Sequence, residues 1–97
     1  MDNDVLLQWS VGIEVAGDEL MTLERIGDLA DAVAATGGIA SGIGETCYGV
    51  KVLVYAEDRE QAIAKATEIL RSAARTTDLP EWPVSRVEAV SEDDETD

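Results

Sequence analysis

Leu7-Gln8-Trp9-Ser10-Val11-Gly12-Ile13-Glu14-Val15 is the stretch on which the fold turns. Leu7, Trp9, Val11, Ile13 and Val15 fall on one face at a period of two. Gln8, Ser10, Gly12 and Glu14 fall on the other. Only an extended strand with one buried face separates these residues so cleanly. A second stretch has the same form: Tyr48, Val50, Val52 and Val54 alternate with Gly49, Lys51, Leu53 and Tyr55. Its β-branched content favours a pleated surface.

Between the two strands the period changes. After Gly17-Asp18, the residues Leu20, Leu23, Ile26, Leu29 or Ala30, and Val33 recur at steps of three and four. That spacing predicts an amphipathic helix. Asp18 and Glu19 suit its positive N-terminal end, and Gly37-Gly38 ends it. The segment 39–44, Ile39-Ala40-Ser41-Gly42-Ile43-Gly44, reads as a Gly-weakened edge strand, with a turn at Glu45-Thr46.

Past the second strong strand, Asp58 and Gln61 are spaced as a capping box. They open a helix expected to run to Ala74 with Ala62, Ile63, Ala66, Ile69, Leu70 and Ala73 buried. The two prolines of Leu79-Pro80-Glu81-Trp82-Pro83 hold that segment extended, with Trp82 expected to seal one end of the core. A last edge strand follows over 84–90. The order is therefore β-α-β-β-α-β, the split β-α-β arrangement. It predicts an α+β two-layer sandwich: a four-stranded antiparallel sheet, the two strong strands central, and both helices on one face. Residues 1–91 form the predicted domain, and the acidic tail 92–97 is expected to be disordered.

The opposite sheet face is left without a cover. It receives Gln8, Ser10 and Glu14 from the first strand and Cys47, Lys51, Leu53 and Tyr55 from the third. Leu53, Tyr55, Lys51, Gln8 and Ser10 are the expected contact residues for a protein partner or a second copy. An exposed Leu and Tyr are also ordinary on a monomer.

Charge and composition narrow the function. The chain has 21 acidic and 7 basic residues, no His, and a formal charge of −14. Taking away the five acids among the last six residues leaves 16 against 7, still −9. Such a field repels nucleic-acid phosphates and anionic lipid, and favours a basic partner or simple solubility. With no His, the commonest general base and metal ligand is missing. Glu24, Asp28 and Asp31 share one side of the first helix and could meet a hard cation, but read more simply as a solvated face. The Gly-rich segment 37–44 leads from a helix into a strand, the reverse of a phosphate loop, and holds no Lys. It could instead accept a partner strand at the sheet edge. Cys47 is the only cysteine, so no intrachain disulfide is expected. The acidic N-terminus does not read as a signal peptide. These features predict an intracellular, cytoplasmic protein without cofactor or membrane span.

The strand-helix order and the segment Leu79-Pro80-Glu81-Trp82-Pro83-Val84-Ser85-Arg86-Val87-Glu88 resemble small uncharacterised α/β-plait (ferredoxin-like) proteins of actinobacteria and their phages. The resemblance implies the fold over about residues 5–91 and a bacterial or phage source. It transfers no catalytic residue and no iron–sulfur cluster, which one cysteine could not hold. The expectation is a non-enzymatic interaction or regulatory protein, homodimeric through its sheet. The alternatives are an acidic nucleic-acid mimic that blocks a DNA-binding protein, and a small-molecule binder.

Overall fold

A computed structural model describes residues 6–77 and 79–91 of the chain. The predicted tail 92–97 lies outside the described residues. In chain order the elements are β1 (Leu7–Ala16), α1 (Leu23–Val33), a 3-10 turn (Ala34–Thr36), β2 (Ile39–Ser41), β3 (Cys47–Ala56), α2 (Arg59–Thr76) and β4 (Val84–Ser91). The strands form one sheet in the order β2-β3-β1-β4, every neighbouring pair antiparallel. This is the ferredoxin-like α+β fold, with the two alternating strands at its centre.

β1 and β3 pair along their full lengths, from Leu7 opposite Ala56 to Ala16 opposite Cys47. Their inward residues Trp9, Val11, Ile13, Val15, Tyr48, Val50, Val52 and Val54 are buried. The helices cover that face with Ile26, Leu29 and Val33 from α1 and Ala62, Ala66, Leu70, Ala73 and Ala74 from α2. Small alanines on α2 bring the long helix close to the sheet. The Trp9 indole reaches the end of the core and donates to the Ala56 carbonyl at 3.1 Å.

The first helix starts later than its apolar spacing predicts. Thr22 is the N-cap, its hydroxyl accepting from the Arg25 N–H at 3.2 Å. Leu20 and Leu23 are exposed, and Met21 is buried in their place. The reason is tertiary: Met21 bridges Ile43, its N–H bonds the Glu45 carbonyl, and its carbonyl accepts from Gly44. Those bonds hold 20–21 extended, so Asp18 and Glu19 precede the helix rather than begin it. At the other end Gly37 takes a left-handed φ of 69°, the expected stop.

β2 is also shorter than the glycine-containing segment 39–44 suggested, and pairs only with Gly49, Val50 and Lys51. α2 is capped as its sequence predicts: Asp58 Oδ1 accepts from the Gln61 N–H at 2.8 Å. The Gln61 side chain returns to the Glu57 N–H at 2.9 Å, one residue before the cap. The helix continues two residues past Ala74, to Thr76.

Candidate functional site

Strand parity decides what the uncovered sheet face carries. Each row across the sheet joins residues that share one face. One row is Ile39, Lys51, Gly12 and Glu88; the next is Ser41, Gly49, Glu14 and Arg86. Beyond the first, Leu53, Ser10 and Val90 form a row, and Tyr55 lies opposite Gln8. Lys51, Leu53 and Tyr55 are exposed, and Gln8, Ser10 and Glu14 are half-buried. The Gln8 amide donates to the Tyr55 hydroxyl at 3.4 Å. All five residues singled out from the sequence therefore share this face.

The face holds more than those five. Ile39 is 63% exposed and Val90 38%, beside Leu53 at 45% and Tyr55 at 56%. β4 adds Arg86 and Glu88, both exposed. Arg86, Glu88 and Val90 pair in unbroken register with Glu14, Gly12 and Ser10 and alternate with the partly buried Val87 and Ala89, the register shift falling only before Arg86.

Gly12 and Gly49 sit diagonally on the two central strands and leave a hole in the carpet of side chains. It is a shallow depression of about 300 Å³, open to solvent, rimmed by Glu14, Ile39, Ser41, Lys51, Arg86 and Glu88. The glycines differ in kind. A Cβ on Gly49 would meet the Ile13 carbonyl oxygen at 2.6 Å, so no larger residue fits there. A Cβ on Gly12 would have nothing nearer than the Val50 carbonyl oxygen at 4.0 Å. The signal for this hole was present: two glycines at outward positions of strong central strands.

Charge is distributed unevenly over the molecule. From Glu14 to Glu45 the chain has seven acids and a single base, Arg25. Glu24, Asp28 and Asp31 are exposed on α1, the solvated face their spacing suggested. Among the described residues no group of three or more His, Cys, Asp or Glu is placed to hold a metal ion. The open sheet face, by contrast, is neutral: Lys51 and Arg86 offset Glu14 and Glu88.

Cys47 stands at the end of this face. Its thiol donates to Glu14 Oε2 at 3.7 Å. Burial raises the thiol pKa, and Glu14 and Glu45 raise it further, by charge repulsion and by the hydrogen bond to Glu14. A thiol so placed is a poor nucleophile. Trp82 lies elsewhere, half-buried at the core's end, its ring 5.6 Å from that of Tyr48.

No helix of the described residues is long and apolar enough to cross a membrane. Comparison with protein-family models, curated proteins and solved structures finds no match to this chain.

Proposed function

We propose that the chain is an interaction protein that works through its open sheet face, and that the face pairs with a second copy of itself. The observation that carries this reading is the self-complementary layout of charge and holes around Gly12 and Gly49. Take a two-fold axis lying in the interface, across the strands, between the Gly12 row and the Glu14 row. It sets Arg86 against Glu88 of the second copy. It sets Glu14 over the second copy's Gly12, and Lys51 over its Gly49. Lys51 then lies beside Glu14 of the second copy, because Glu14 and Gly49 are register partners. Each charge meets an opposite charge and each hole receives a side chain. Closed two-fold pairing of one patch with itself is the commonest form of assembly.

Two further features support it. The face is neutral on a strongly acidic chain, so it is where two copies repel least. Its four strands, of 10, 3, 10 and 8 residues, present on the order of 500 Å², somewhat under the ~600 Å² per partner at the small end of standard interfaces, which suits a weak, concentration-dependent pair.

The test is sedimentation velocity from about 5 to 500 μM. The wild type is expected to dimerise. Arg86→Glu and Glu88→Arg are each expected to weaken the dimer by about ten-fold or more, since each sets like charges together twice. The double variant, with the charges exchanged, is expected to restore it. A monomer throughout the range, or a double variant no better than the singles, refutes the reading.

A second reading is an acidic mimic that occupies a nucleic-acid-binding protein. It is favoured by the segregated acids, with Asp18, Glu19, Glu24, Asp28 and Asp31 exposed against Arg25 alone. It requires binding to a basic protein that weakens steeply with salt.

A further inference from the structure

β3 outruns its edge partner. β2 ends its pairing with β3 at Lys51, while β3 continues to Ala56. The chain entering β2 packs tightly at Gly38, where a Cβ would meet Val52 Cγ1 at 2.8 Å. Beyond that point no strand among the described residues pairs with this edge of β3, although the turn at Gly37 lies close, a Cβ there coming 3.9 Å from Leu53 Cδ1, and β1 pairs with the other side to the end.

The backbone at this edge points outward at known residues. The Tyr55 carbonyl accepts from Lys65 Nζ of α2. The next carbonyl, of Ala56, accepts from Trp9 on the β1 side. Backbone groups of successive strand residues alternate in direction. Leu53 and Tyr55 therefore aim both their N–H and C=O groups at the open edge. Alongside runs a shallow, open groove of about 670 Å³ between this edge and α2, bordered by Leu53, Tyr55, Gln61, Ala64, Lys65 and Ile69.

We infer that this groove receives an extended peptide segment of a partner protein, which adds as a short strand beside Leu53 and Tyr55. Two residues' worth of outward N–H and C=O groups specify a strand as the occupant, since an extended backbone answers that spacing. Alternate side chains of the segment rest on Ala64 and Ile69 on the helix side, and beside Leu53 and Tyr55 on the other. The segment is apolar at those alternate positions and basic overall, to suit a host of charge −14. Lys65 guards the site. A lysine is a common block on a free edge, and this one holds the Tyr55 carbonyl that the incoming strand needs. The outer edge of β4 is protected differently, by Pro83, Arg86 and Glu88. The inference rests on edge backbone groups and the helix side rather than on the charges around Gly12 and Gly49, although Leu53 and Tyr55 border both surfaces.

The test uses an N-acetylated, C-amidated octapeptide that alternates valine and threonine between terminal lysines. It is titrated into the ¹⁵N-labelled full chain, with amide exchange read residue by residue. Exchange at Leu53 and Tyr55 is expected to slow by about ten-fold or more at saturation. Methylating the peptide's edge-facing amides, or Ala64→Arg in the chain, is expected to weaken binding by about ten-fold or more. Ala64 is exposed, so the variant's thermal unfolding is expected to match the wild type. Lys65→Met is expected to tighten binding several-fold by releasing the Tyr55 carbonyl. No slowing at Leu53 and Tyr55 at about 1 mM peptide, or equal binding of the methylated peptide, overturns the inference. Sedimentation reads the dimer separately, so failure of one is not failure of the other.

Discussion

The indole of Trp82 occupies the space that a Cβ on Gly17 would need. Gly17 directly follows β1, and Trp82 lies in the proline-flanked segment that leads into β4. The contact therefore ties the entry of the last strand to the exit of the first. It is reinforced from α2, where Arg71 Nη1 donates to the Trp82 carbonyl at 2.9 Å, and from Ala16, whose N–H bonds the Pro83 carbonyl at 3.2 Å. Gly17→Ala is expected to displace the indole and destabilise the fold by about 1–3 kcal/mol. Urea unfolding of Gly17→Ala, Trp82→Ala and the double variant measures it. The two losses are expected to be strongly non-additive, because each removes the same contact. Full additivity would show that the indole does not rest on Gly17.

Tyr48 gives a prediction with a pH signature. Its ring is buried and its hydroxyl donates to the Pro80 carbonyl. Burial is the main cause that pushes the phenol pKa above 10, opposed by the nearby Arg71 and reinforced by Glu81. The folded state thus holds its proton more tightly than the unfolded chain does. That contribution is complete below the ordinary phenol pKa and is lost as pH rises from there through the raised folded value. Tyr48→Phe is expected to lower stability by about 1 kcal/mol at pH 7 through the lost hydrogen bond. It is also expected to flatten the alkaline fall that sets in above the ordinary phenol pKa of about 10. An alkaline limb identical in both proteins would assign that limb to another group.

These contacts mark the limit of what local sequence carries. Alternation in β1 and β3 defines two central strands and the parity of the open face, because a period of two is a purely local signal. The start of α1 is not local. The steps from Leu20 to Val33 fit one helix, and only the bonds of Met21 to Gly44 and Glu45 decide that Leu20 stays outside. Trp82 on Gly17 is a pairing across the whole chain, and no spacing rule reports it. The open face was legible for Gln8, Ser10, Lys51, Leu53 and Tyr55, which lie on clean strands. Arg86 and Glu88 alternate with Val87 and Ala89 as regularly, but which face they share follows only from their pairing with Glu14 and Gly12.

Glu14 and Cys47 offer a chemical probe of the same face. Burial, the Glu14 and Glu45 charges and the Glu14 hydrogen bond all keep the thiol protonated. At pH 7.5 Cys47 is expected to react with a maleimide or disulfide reagent more slowly than a free thiol. Glu14→Gln removes one charge, so the thiol pKa is expected to fall toward its usual value and the rate at fixed pH to rise. The pH–rate profile distinguishes this from simple unmasking. A pKa effect moves the midpoint of the profile, whereas a gain in access raises the plateau alone.

Gly12 separates the stability of one chain from the pairing of two. A Cβ there meets nothing nearer than the Val50 carbonyl oxygen at 4.0 Å, which leaves room for a small branched side chain. Glycine in a strand interior is unfavourable by about 0.5–1 kcal/mol, and valine suits a pleated surface. The monomer is therefore expected to become more stable, with a higher Tm at low micromolar concentration. In the proposed dimer, Glu14 of the second copy lies over this glycine. The valine fills that hole and is expected to weaken association by about ten-fold or more. A fold that tightens while the dimer loosens has no explanation within a single chain. If sedimentation finds association unchanged while the Tm rises, the depression over Gly12 is not where the second copy sits. Gly49 cannot serve in its place, since a side chain there strikes the Ile13 carbonyl and the fold itself would give way.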